Sequence, residues 1–278
     1  MSTHKVFTFM FSRRAPQGKS NQQSIASGDQ GEGSGTIIRN HNRHYAALLL
    51  MLIGMTGCSA GSPRRVAEMK ITEKLPELIG PATIYTTHVN GSIFDLGRGY
   101  AKSIVIDGSG VHVAPAITLQ TMEIVVNDVH FERNKTALKS TGTIEFSSAM
   151  TEQQFNDYLG YRYPGRQLST VFLNDGLVVS IPVVMWNMGT AGSLQGQLEA
   201  ENGTEKIDFE ARSAHVGGIP VPMSIVEKGL RDLNPIITIY GLPFQLKLRS
   251  AVVKDNFLQL SGNVVLPQGF LSNKNIKG

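Results

Sequence analysis

The chain of 278 residues holds a single cysteine, Cys58. A disulfide within the chain is therefore excluded, and so is a zinc site built on thiolate pairs. Histidine does not substitute for the missing thiols. After residue 57, His88, His112, His130 and His215 stand isolated, with no partner at metal-ligand spacing, so neither metal nor cofactor is expected. There is no G-x-S-x-G elbow and no P-loop; Gly108-Ser109-Gly110 is the nearest approach and lacks the strand-to-helix setting. Asp128 and His130 share a strand face and form the one acid and imidazole pair worth naming. It reads as a solvated edge, so the expectation is a protein that is not an enzyme. Long apolar runs are scarce as well. Residues 45–56 (YAALLLMLIGMT) form the one strongly apolar run near the N-terminus, well short of the roughly 20 residues that span a bilayer as a helix.

Charge of one sign is also lacking once the chain is divided. Of 26 Lys+Arg and 22 Asp+Glu, residues 1–57 hold 6 and 2, so the remainder is balanced. The basic pI of about 9.1 thus comes from the N-terminal segment and gives no footprint for nucleic acid.

The apolar run follows Arg39 and Arg43 and ends in Met55-Thr56-Gly57-Cys58. Arginines, a short apolar stretch and a small residue before the cleavage point are the order of a signal peptide. With cysteine in the next position the motif reads as a bacterial lipobox, with Cys58 lipidated, palmitate included, and made the first residue. Residues 1–57 are then the signal peptide with an over-extended N-terminus, 58–63 a tether, 64–267 one domain and 268–278 a flexible tail. Two other readings exist: a buried helix for the run, and an organellar transit peptide for residues 1–27, basic and Ser-rich but silent about the lipobox. The expected location is the bacterial cell envelope, anchored to the membrane and facing the periplasm or exterior.

The remaining sequence alternates between strands and a few helices, an α+β, mostly β fold of antiparallel meanders. Residues 64–79 have loosely helical apolar spacing, with Pro76 expected to kink or end the helix. Strands are expected at 83–89, 101–107, 111–113, 118–133 and 136–147, with Asp107-Gly108-Ser109-Gly110 as the clearest turn. Residues 151–160 form a helix opened by a Thr151/Gln154 capping box and closed at Gly160. Hairpins follow: 168–174 with 177–186 through Asp175-Gly176, and 194–200 with 206–212 through Asn202-Gly203. A helix at 222–233 precedes strands at 236–240, 244–253 and 257–266, the last two turning at Asp255-Asn256. Asn90-Gly91-Ser92 and Asn202-Gly203-Thr204 match glycosylation sequons but read as Asn-Gly turns.

In the C-terminal part, Gly229-Leu230-Arg231-Asp232-Leu233-Asn234-Pro235, then residues 236–241 and Leu242-Pro243-Phe244-Gln245-Leu246-Lys247-Leu248, resemble the LmeA-like phospholipid-binding family. Leu96-Gly97-Arg98-Gly99, the helix at 151–159 and Val216-Gly217-Gly218-Ile219-Pro220-Val221-Pro222 agree in order, so the resemblance runs from about residue 66 to 266. Gly97, where an apolar residue is common, and the tail beyond the last strand depart from the pattern. The resemblance implies an exported, membrane-associated β-roll similar to tubular lipid-binding folds, with long curved strands wrapped around two or three short helices, that binds and carries phospholipid or a related amphiphile.

Physical chemistry supports the same idea separately. Three short helical stretches are few to cover the apolar face of some ten strands, and acyl chains would complete the cover at about 0.8 kcal/mol per buried methylene. The residues expected to line such a cavity are Phe155, Leu159, Val183, Ile225, Val226, Leu230, Phe244, Leu246 and Leu248. Ordinary core packing explains apolar residues at these periods equally well, and the rival function is a scaffold lipoprotein with a filled core that binds another envelope protein.

Overall fold

The computed structural model describes residues 62–131, 138–185, 188–239, 242 and 244–266. Cys58, the apolar run at 45–56, the tail after 266 and the strand ends expected at Trp186 and Tyr240 lie outside the described residues.

The elements are α1 (Pro63–Leu78), β1 (Ile84–Asn90), α2 (Ile93–Gly97), β2 (Tyr100–Ala114), β3 (Ile117–Phe131), β4 (Leu138–Ser140), β5 (Ile144–Thr151) and α3 (Glu152–Arg162), followed by β6 (Ser169–Leu173), β7 (Gly176–Met185), β8 (Met188–Ala200), β9 (Lys206–Val216), β10 (Ile219–Pro220), α4 (Met223–Leu230), β11 (Ile237–Thr238), β12 (Gln245–Lys254) and β13 (Phe257–Val265). Among the described residues the fold is mostly β, with four helices and no closed barrel. One antiparallel sheet has the order β1-β2-β3-β5-β13-β12 with β4 beside β3; the other has β10-β9-β8-β7-β6 with β11 beside β9. Alternating burial along β1, β5, β12 and β13 places one face of the first sheet inward. Bulges interrupt β12 at Arg249 and β9 at Arg212, where an extra residue bends the strand.

The open edges are occupied by side chains and turns. The Val89 N–H on β1 donates to Glu68 of α1 at 3.0 Å, and the Phe172 N–H on β6 donates to Glu152 of α3 at 2.7 Å. Asn156 pairs with Thr170 as a strand would, accepting from its N–H at 2.6 Å and donating to its carbonyl at 2.9 Å. Asn234 does the same to Phe209 on β9, at 2.9 and 3.1 Å. The turn after β8 lies against β12: the Gly203 N–H donates to the Leu248 carbonyl and the Leu248 N–H to that of Thr204. Each of these contacts pairs backbone groups that would otherwise be open to another strand.

Several sequence expectations need correction. No turn forms at residues 107–110: β2 continues through them, and Gly110 adopts φ +61 within the strand where a Cβ would lie 2.5 Å from the Thr83 hydroxyl. The chain reverses instead at Pro115-Ala116, with Ala116 at φ 65. Helix α1 runs past Pro76 to Leu78, and α3 passes Gly160 to end at Arg162. The strand expected over 136–147 is divided into β4 and β5, and the C-terminal helix stops at Leu230, ahead of Leu233. Helix α2, only five residues long, was not expected at all. The Thr151/Gln154 capping box is present, and Asp255 and Asn256 both take positive φ, as a type I′ hairpin turn requires.

Candidate functional site

Apolar residues from both sheets and three helices meet in one continuous core. Helix α3 contributes Phe155, Tyr158 and Leu159, and the Phe155 ring lies 5.7 Å from that of Phe172 on β6. The segment after α4 adds Leu233, Ile236, Ile237 and Ile239. It is strapped to α3 by the Tyr163 hydroxyl, which donates to the Leu233 carbonyl, and by the Thr238 N–H, which donates to the Tyr158 oxygen at 3.4 Å. Burial raises the Tyr163 phenol above its usual pKa against the lowering influence of Arg162 and Arg166.

Seven of the nine residues expected to line a cavity gather in or around this core. Phe155, Leu159 and Leu248 are fully buried and Leu246 nearly so. Leu230 is buried, Val226 and Phe244 pack against the core, and Ile225 is half-buried on α4. Val183 stands apart. It lines a groove of about 360 Å³ together with Gln167, Ser180, Ile181, Pro182, Gly189, Thr190 and Ala191.

The strand lengths explain the groove. Pairing of β6 with β7 ends at Ser169–Ser180, and pairing of β8 with β9 ends at Gly192–Val216, so β7 and β8 project beyond both neighbours as a two-stranded arm. Pro182 is tolerated there because no strand needs its missing N–H. Small residues at 189–192 keep the floor low: a Cβ on Gly192 would come within 2.9 Å of a Val183 methyl. Away from the residues that line the groove, Arg162 and Arg166 lie 5.8 and 5.6 Å from the centre of the Tyr163 ring, within cation–π range. A second hollow of about 280 Å³, bounded by Leu173, Asp175, Gly176, Gln195, Gly196 and Arg212, is more polar.

Sequence reasoning missed this groove. Its signals were a proline inside the apolar run of β7 and the glycine-bounded stretch Gly189-Thr190-Ala191-Gly192, which pack poorly as a sheet centre. The acid and imidazole pair does not form as such: Asp128 accepts instead from the Tyr100 hydroxyl at 3.1 Å, and the His130 ring lies 4.8 Å from that of Tyr100. Among the described residues no cluster of His, Cys, Asp and Glu could hold a metal ion, and no helix is long and apolar enough to cross a membrane.

A family model described as LmeA-like phospholipid-binding matches residues 65–263, most of the chain. No curated protein and no solved structure matches it.

Proposed function

Because the chain belongs to the LmeA-like phospholipid-binding family, we propose that it is a bacterial envelope lipoprotein, tethered by Cys58, that binds single phospholipids for transfer or maintenance of envelope lipid. The observation that carries this reading is the apolar groove on the arm formed by β7 and β8. Ile181, Pro182, Val183 and Ala191 offer acyl contact. At about 360 Å³ the groove is at the small end for ligand sites and takes part of one chain. The rest of the lipid reaches the interior when α4 lifts. That helix has no side-chain N-cap, packs on β9, and holds Ile225 and Val226 only half-buried.

Native mass spectrometry of gently extracted protein tests the proposal, with an adduct of phospholipid mass expected. Ala191→Phe, which fills the groove and leaves the core alone, should remove that adduct at unchanged stability. A fully occupied Ala191→Phe protein would refute the groove. The scaffold reading draws on a different observation, the filled core around Phe155, Leu159, Leu246 and Leu248. A scaffold stays equally stable when stripped of lipid, whereas a binder loses about 2.7 kcal/mol if its lipid had been present at a hundred times Kd.

A further inference from the structure

We infer that α2 and the first turn of α1 form a membrane-docking surface, with Ile93 and Phe94 entering the interface of a phospholipid bilayer. Phe94 is 81 % exposed and Ile93 71 %, the most exposed of the large apolar side chains among the described residues. They are consecutive, so their area is joined. A folded chain gains nothing from displaying a phenylalanine in water, where its burial is worth about 1.5–3 kcal/mol.

Local geometry holds the pair outward. Ser92 caps α2, accepting from the Asp95 N–H at 3.0 Å while its hydroxyl donates to the Asp95 carboxylate at 2.6 Å. Leu96 turns inward and packs against the core, which leaves Ile93 and Phe94 on the outer side of a helix only five residues long. The Arg64 guanidinium donates to the Gly91 carbonyl at 2.7 Å, which fastens the start of α1 to this segment. Arg64, Arg65 and Arg98 are all exposed here. Long cationic side chains around an apolar pair suit a bilayer interface, where the stems lie along the acyl boundary and the heads reach phosphate.

The chain outside the described residues selects this occupant over a protein partner. Helix α1 begins at Pro63, five residues after Cys58, and five residues span at most about 18 Å. A lipid on Cys58 therefore brings the first turn of α1, and with it Ile93 and Phe94, to the membrane surface. In this respect the inference rests on the lipoprotein reading; the exposure of the pair does not.

The test uses the full chain carrying Cys58→Ser, which removes the one native thiol, with Phe94→Cys labelled by an environment-sensitive fluorophore. Vesicles of phosphatidylethanolamine and phosphatidylglycerol in equal parts are added. Emission from position 94 should shift to the blue and be quenched by spin-labelled lipid. The same label at Val252→Cys, an exposed apolar position on β12, should keep its aqueous emission. A label at position 94 that stays aqueous on vesicle-bound protein overturns the inference, as does an equal shift at position 252. Metabolic labelling of the unsubstituted chain with an alkynyl fatty acid separately reports on Cys58. An unlabelled Cys58 with a shifted position 94 refutes only the anchor, whereas a labelled Cys58 with an aqueous position 94 refutes only the docking surface.

Discussion

Replacing Asn234 by alanine tests how the segment after α4 is held against the second sheet. Its side chain accepts from the Phe209 N–H at 2.9 Å and donates to the Phe209 carbonyl at 3.1 Å, so one amide stands in for a strand residue at the edge of β9. Phe209 is almost wholly buried, so water cannot readily replace either partner. Each lost bond costs about 1 kcal/mol net, and each orphaned buried group adds its own desolvation penalty, which together predict a loss of about 2–4 kcal/mol. For a domain of some 200 residues that is a fall in Tm of about 5–15 °C. Urea unfolding should show a lower midpoint at unchanged slope, because the surface exposed on unfolding stays the same. Asn234→Asp keeps the acceptor and sets a carboxylate against the Phe209 carbonyl, so it should also destabilise, and recover in part at acidic pH where a protonated carboxyl can donate. A loss below about 0.5 kcal/mol for Asn234→Ala would show that the two bonds are not needed, and the account of edge closure would fail with it.

Ser148 faces inward on β5 between Phe146 and Met150 with no hydrogen-bond partner for its hydroxyl, so Ser148→Ala should be neutral or stabilising by about 1 kcal/mol in chemical denaturation. Asn156→Ala, which frees the Thr170 N–H and carbonyl on β6, should cost about 2 kcal/mol in the same assay and raise amide exchange along that strand. The Tyr85 phenol donates to the Gly80 carbonyl at 2.8 Å and burial pushes its pKa up to about 12 from 10.0. Since the folded state holds this proton more tightly, stability should be unaffected below pH 10 and fall as pH rises from 10 towards 12; Tyr85→Phe should remove that alkaline loss, as read from Tm against pH. Cys58→Ser should reduce membrane retention in cell fractionation while leaving the phospholipid adduct in place, and loss of the adduct as well would show that anchor and groove are not separable.

Local chemistry made part of this fold readable. The Thr151/Gln154 box, the Asp255-Asn256 turn and the alternation Phe244, Leu246, Leu248 against Gln245, Lys247 and Arg249 act through neighbours in sequence, and the helix, hairpin and strand they specify are present. Gly108 and Gly110 misled because a glycine chosen for close approach inside a strand is indistinguishable, in sequence, from one chosen for a turn. Asn156, Glu152 and Asn234 were unreadable for a related reason: a polar residue that closes a sheet edge does so across 14, 20 and 25 residues of chain. The groove was hidden because it depends on where β6 and β9 stop pairing, which is a matter of strand length in the assembled sheet. Periodicity could gather the core-facing residues around Phe155 and Leu230, but it could not separate Val183, whose strand at that point has left the core behind.

The filled core and the lipid reading constrain each other. If both acyl chains were to sit inside, some 40–60 atom contacts for every buried leucine in their path would have to be exchanged for contacts to lipid. Such an exchange is close to neutral for apolar matter, so its cost falls on the polar straps that must open first. In this chain two such straps are the pair of Asn234 bonds to Phe209 and the Tyr163 hydroxyl on the Leu233 carbonyl, beside the Thr238 N–H on the Tyr158 oxygen, the Ile239 N–H on the Glu205 carbonyl and the pairing of β11 with β9. Both hold the stretch 230–239, which follows α4, the helix with the weakest cap. Weakening them should therefore lower stability and raise the rate of phospholipid uptake together, which separates a strap from an ordinary structural contact. Uptake of a fluorescent phospholipid by Asn234→Ala that is no faster than in the unsubstituted chain would confine the lipid to the arm groove and leave the interior permanently filled.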